Sequence, residues 1–176
     1  MADLWGLMAE FADEQALMAA ADQARRAGYR RLDAHTPFPV EGLSEALGHP
    51  RTQLPLLVFA AGVAGAVGGF FLQYHASAVA YPLNIGGKPL VSWPAFVPVT
   101  FELTILFAAS AAVAGMLALN GLPQPYHPVF NVPEFDKASR DGFFLTVESA
   151  DPLFNSTETR RFLAGLGAAK VHDVLP

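Results

Sequence analysis

The rhythm of apolar and polar positions changes several times along this chain, and each change predicts an element. Residues 4–11, LWGLMAEF, form an apolar run of strand length and predict a buried strand. Asp13 then stands at an N-cap position before EQALMAAADQARRA, where Ala16, Leu17, Ala20, Ala21 and Ala24 recur at helical spacing. Gly28, following Arg25 and Arg26, is placed to end that helix. Residues 29–35, YRRLDAH, predict a second strand, stopped by TPFP, and a short helix over 41–47 follows.

The rhythm then disappears into two long apolar runs, LPLLVFAAGVAGAVGGFFLQY from Leu54 and PAFVPVTFELTILFAASAAVAGMLAL from Pro94. Each is at least as long as the ~20 residues a helix needs to cross a ~30 Å hydrocarbon core. Between Arg51 and Glu134 the only charged side chains are Lys88 and Glu102. A helix satisfies all its backbone hydrogen bonds within lipid, so both runs predict transmembrane helices. They form a hairpin over residues 54–119 with a short external loop at 75–93.

Beyond the hairpin, residues 120–141 are proline-rich and predict an extended loop without regular elements. Residues 142–148, GFFLTVE, predict a strand. Asn155 with Glu158 three positions on resembles a capping box, opening a helix that runs to Gly167, and residues 170–175 predict a closing strand. Each end of the chain thus reads strand–helix–strand. The fold expected is α+β with two transmembrane helices. Residues 1–50 and 142–176 supply the halves of a split ferredoxin-like (βαβ + βαβ) cytoplasmic domain, and the hairpin is inserted between them. Neither half alone has enough core to be robust.

Charge sets the orientation. Arg25, Arg26, Arg30, Arg31 and Arg51 precede the first run, and Lys137, Arg140, Arg160, Arg161 and Lys170 follow the second, against Lys88 alone between them. The positive-inside rule predicts both termini in the cytoplasm of a multi-pass protein. Phe70, Phe71, Tyr74, Tyr81, Trp93 and Phe96 are expected to form an interfacial aromatic belt. A net charge of −5 argues against nucleic acid as a partner. The first residues lack the basic and apolar regions of a signal peptide.

The chain contains no cysteine, which excludes disulfides, thiolate-held iron–sulfur clusters, covalent c-type haem and a cysteine nucleophile in this chain. His35, His49, His75, His127 and His172 form no HxH or HxxxH pair, and neither run has a central histidine to ligate haem. Gly86-Gly87 marks a turn, not a phosphate loop, and no Ser/His/Asp pattern is present. No catalytic, cofactor-binding or metal-binding residue is expected in this chain.

Glu102, within VPVTFELT, is the residue that stands out. A carboxylate inside a membrane helix faces protein or water. One reading makes Glu102, with Thr100 and Thr104, part of a proton path or an interhelical polar contact. The other has it reach the interface or bond Thr100 and Thr104 locally. Ala61, Gly65 and Gly69 recur at every fourth position and predict a face for close helix packing, with Ala108, Ala111, Ala112 and Gly115 giving the second run similar small surfaces.

Residues 81–104, YPLNIGGKPLVSWPAFVPVTFELT, closely resemble the corresponding stretch of the ActD subunit of bacterial alternative complex III, a membrane quinol oxidoreductase. The resemblance extends over the N-terminal segment, the hairpin, the proline-rich exit and the strand at Phe143. It implies a cofactor-free accessory subunit in the bacterial inner membrane, itself not an enzyme, which stabilises the membrane module. Its implied partners are polytopic quinol-binding subunits, an iron–sulfur subunit and c-type cytochromes, with haem c and iron–sulfur clusters on those subunits. Within that family Glu102 matches the carboxylate of the FELT-like run, for which a proton-conducting role is a hypothesis. The competing expectation is a free-standing, membrane-tethered ligand-binding or regulatory module.

Overall fold

A computed structural model describes residues 4–50 and 52–176. Arg51, one of the basic residues ahead of the first apolar run, and the first three residues of the N-terminal segment lie outside the described residues. The chain divides into two compact units, one made of residues up to 50 and from 125 onward, the other of residues 51–124. The second unit holds the helices α3 (Leu54–Tyr74) and α4 (Trp93–Leu119).

The first unit is α+β. Its elements are β1 (Gly6–Phe11), α1 (Glu14–Arg26), β2 (Leu32–His35), α2 (Leu43–Leu47), β3 (Phe143–Glu148), α5 (Ser156–Gly165) and β4 (Lys170–Val174). The four strands form an antiparallel sheet in the order β2-β3-β1-β4. Its register places Leu7 against Val147 and Asp173, and Ala34 against Leu145. Every ladder joins a strand from before residue 50 to one from after residue 140: β1 with β3, β1 with β4 and β2 with β3. Among the described residues, neither end of the chain forms a strand pair of its own.

The caps follow local chemistry. Asp13 accepts a 2.8 Å hydrogen bond from the Ala16 N–H, opening α1. Past its last turn Gly28 adopts φ +104°, a left-handed conformation that glycine takes without steric penalty. Asn155 Oδ1 accepts from the N–H groups of Thr157 and Glu158 at 3.1 Å each. The expected reach-back by Glu158 does not occur. Thr159 Oγ1 instead accepts the Asn155 N–H at 3.1 Å, so the threonine closes the cap.

Side chains alternate across the sheet with the two-residue period of a strand. Leu7, Ala9, Phe11, Phe143, Leu145 and Val147 share one core with Leu17, Ala20 and Ala21 of α1, Leu43 and Leu47 of α2, and Leu163 of α5. Met8, Phe144 and Val174 point the other way and join Val129, Val132 and Phe135. Both faces are therefore covered, which is why β1 and β3 read as near-continuous apolar runs. The cover on the second face corrects an expectation. The proline-rich exit is not wholly extended but contains two 3₁₀ helices, Pro128–Asn131 and Pro133–Ser139, which pack on the sheet. Pro128 and Pro133 sit at the first helical position, where the missing N–H costs nothing.

Three polar links tie segments distant in sequence. Asp151, 4% exposed, accepts from the backbone N–H of Arg30 (2.6 Å) and Arg31 (2.7 Å) through Oδ2, and from Leu153 N–H (2.8 Å) through Oδ1. Burial pushes this carboxyl up, but the N–H groups of Arg31, Arg30 and Leu153 outweigh it and hold its pKa below the ordinary value. Tyr29 shares a buried 3.0 Å hydrogen bond with Thr159. Lys137, on the second 3₁₀ helix, pairs with Glu10 of β1 at 2.7 Å, and that hydrogen bond raises the lysine pKa.

Candidate functional site

In the second unit α3 runs into a π-helical continuation, His75–Ala80, ahead of α4. The first helix therefore extends into the segment expected to be external loop, leaving residues 81–92 as the connection. Both helices are long and apolar enough to cross a bilayer, and their surfaces stay largely uncovered by the protein itself.

They pack antiparallel along a stripe of glycines. Gly62, Gly65 and Gly69 are the buried residues of α3. A Cβ at Gly65 would collide with the Leu103 carbonyl oxygen, and one at Gly69 would come within 3.2 Å of the Thr100 Cα. The helices touch almost backbone to backbone here, a closeness that glycine alone permits. At the far end Gly115 is buried under Leu54 and Leu57. Of the residues expected on this face, Gly65 and Gly69 contact α4 and Ala61 is half-buried, while Gly62, absent from the expectation, faces Ala108 at 3.6 Å from its would-be Cβ.

A polar bracket closes the other end of the pair. Gln73 Nε2 donates toward the carbonyl oxygens of Phe96 (2.9 Å) and Gly69 (3.1 Å) and toward Thr100 Oγ1 (3.3 Å). Thr104 Oγ1 donates to the Thr100 carbonyl at 2.7 Å. Sequence reasoning passed over Gln73 because it is neutral. The available signal was an amide one residue from the end of an otherwise apolar run. Phe96, assigned to the interfacial belt, is instead buried at 5% exposure and meets Phe70 edge-on at 5.7 Å. It packs between the helices, whereas Trp93 and Phe71 remain exposed.

Glu102 stands apart from this network. Thr100 and Thr104 face α3, and at 100° per residue Glu102 projects from the opposite flank of α4. It is exposed, in a shallow apolar recess with Phe101, Leu103, Ile105, Leu106 and Ala109. A carboxylate in mid-span costs about 2.5–3.5 kcal/mol on insertion scales unless a donor meets it.

The histidines lie elsewhere. His35 stacks edge-on against Phe135 at 5.0 Å with its Nε2 unpaired, and His127 meets Trp5 edge-on at 4.9 Å. Burial lowers the His35 pKa, the Asp33 carboxylate pulls it back up, and His127 adds to the lowering. His172 lies between carboxylate oxygens of Glu10 (3.9 Å) and Glu134 (3.7 Å), and His49 Nε2 lies 3.3 Å from the Leu32 carbonyl oxygen. His75 is exposed at the end of α3. Among the described residues no group of three or more histidines and carboxylates is placed to hold a metal ion.

The chemistry of this chain is therefore concentrated in a helix pair: glycine contact, an amide bracket and one outward carboxylate. No curated protein matches the chain. The family model described as the ActD subunit of alternative complex III matches residues 5–173, from just ahead of the first strand into the last. A match of that extent takes in both units, and the chain accordingly belongs to the ActD family, whose members are subunits of the membrane complex known as alternative complex III.

Proposed function

We propose that this chain is a cofactor-free, non-catalytic subunit that stabilises the membrane module of a quinol oxidoreductase in the bacterial inner membrane. The observation that carries this reading is the contrast between its two units. The soluble unit closes around its own cores, while the glycine-packed helix pair leaves wide apolar faces uncovered. The soluble unit is read as a split ferredoxin-like sandwich interrupted by the hairpin, on the support of its β2-β3-β1-β4 order. Basic residues on both sides of the hairpin, against Lys88 alone between the helices, support cytoplasmic termini.

A chain without cysteine, and with no histidine in α3 or α4, supports the assignment of haem c and iron–sulfur clusters to partner subunits. Those partners are polytopic quinol-binding subunits, an iron–sulfur subunit and c-type cytochromes. Glu102 is the one acidic or basic side chain in α3 and α4, which supports a share in a proton path. With Thr100 and Thr104 turned toward α3, such a path leaves this chain at Glu102 itself.

The test is affinity purification of the tagged chain from membranes in mild detergent, with identification of co-purifying chains and a reduced-minus-oxidised haem spectrum. Stoichiometric multihaem cytochrome, iron–sulfur subunit and polytopic partners are expected. A lone, haem-free chain, recovered where other respiratory complexes stay intact, would replace this reading with a membrane-tethered ligand-binding or regulatory module. Unchanged quinol oxidation, proton release and assembly in Glu102→Gln would remove the proton path.

A further inference from the structure

We infer that the flank of α4 bearing Glu102 is the seat of a transmembrane helix from a different subunit, one presenting a hydrogen-bond donor to the carboxylate. This rests on the reading of the chain as a complex subunit and specifies which surface makes the contact. Glu102 lies nine residues into α4, about 13 Å along the helix axis at 1.5 Å per residue. With a ~30 Å hydrocarbon core centred on this helix, its Cα is roughly 8 Å below the core edge. A carboxylate on two methylenes does not reach the headgroups from there, and lipid offers it no donor.

The same stripe carries a further acceptor at its outer end, where the helix meets the membrane interface. Pro98, one turn toward the helix start, has no N–H, so the carbonyl of Pro94 lacks its usual donor four residues on. Pro94, Pro98 and Glu102 fall at i, i+4 and i+8, on one side of the helix. At the depth of Glu102 this face offers the carboxylate and no donor, amid the apolar surface of Phe101, Ile105, Leu106 and Ala109.

A second copy of this chain does not answer that chemistry. Lys88, the only lysine or arginine between positions 52 and 133, lies in the connection between the helices. Gln73 and Thr104 already donate within the hairpin. Self-association through this flank would set carboxylate against carboxylate or against Phe101, Ile105 and Leu106. The occupant is therefore a membrane helix of another chain, with a cationic or neutral donor at the depth of Glu102.

The absence of cysteine makes single-cysteine probes clean. Ala109→Cys, two turns from Glu102 on the same flank, is labelled with a lipid-soluble maleimide in the intact complex and in the dissociated chain. Protection of tenfold or more in the complex is expected. Equal labelling in both states, or an Ala109→Cys disulfide between two copies, would overturn the inference. Glu102→Leu is expected to cut recovery of the partner subunits at least tenfold, and Glu102→Gln, which keeps an acceptor oxygen, by less. Wild-type recovery with Glu102→Leu would overturn the donor. If the unsubstituted chain co-purifies with nothing, the subunit reading itself fails. If it brings its partners while Ala109→Cys labels freely, only this interface is lost.

Discussion

Tyr29 and Thr159 stand 130 positions apart in sequence and share a buried hydrogen bond of 3.0 Å. The same threonine oxygen accepts the Asn155 N–H, so one hydroxyl both caps α5 and fastens it to the loop ahead of β2. Tyr29→Phe is expected to cost about 1 kcal/mol, the net worth of one hydrogen bond. Thr159→Val removes that bond and also orphans the Asn155 N–H, and is expected to cost about 2–3 kcal/mol. Protease resistance of the α+β unit against denaturant, measured on the full chain in detergent, gives both values.

Asp151 makes stability depend on acid. Its folded pKa lies below the ordinary 3.8, so its contribution is fully present above that value and is lost as pH falls through it toward the folded pKa. Asp151→Asn is expected to cost about 2 kcal/mol at neutral pH and to flatten the fall in unfolding midpoint below pH 4.

His35 acts in a higher pH window. A lowered histidine pKa means that protonation favours the unfolded chain, so the contribution is complete above 6.5 and declines as pH falls toward the lowered value. His35→Phe is expected to remove that decline. The measurement is the difference in unfolding midpoint between wild type and variant from pH 7.5 to 5.

The helix pair is testable by disulfide. The would-be Cβ of Gly62 lies 3.6 Å from the Ala108 Cβ, within the Cβ–Cβ range of about 3.5–4.5 Å that a disulfide requires. Gly62→Cys with Ala108→Cys is expected to oxidise readily. After cleavage at a protease site inserted at Gly86-Gly87, the two fragments should migrate together until reduced. Gly65→Leu, which drives a side chain into the Leu103 carbonyl, should abolish the cross-link.

Features set by neighbouring residues were legible in the sequence: the Asp13 and Asn155 caps, the glycine after α1, and the two long apolar helices. The proline-rich exit was misread because proline suits both extended chain and the first residue of a tight helix. A finer signal was present. Val129, Val132, Phe135 and Ala138 recur every third residue, the period at which 3₁₀ side chains eclipse, and these residues meet the sheet. Glu102 was legible as an anomaly, while its separation from Thr100 and Thr104 follows from counting 100° per residue. Asp151 was not legible, because two of its three partners are backbone N–H groups some 120 positions away.

The strand pairings have a consequence for how the protein is made. Since every ladder joins the beginning of the chain to its end, no sheet exists on the ribosome until residues beyond 143 emerge, after both apolar helices have been synthesised. On the proposed topology, with both helices across the bilayer, the two ends would lie in one compartment, where β1 can meet β3. A chain that inserts only one helix leaves them on opposite sides, unable to pair. Its four strand segments are then expected to stay unpaired and open to proteolysis. On the proposed topology, closure of the sheet would report that both helices had been inserted, read out by whether the α+β unit survives.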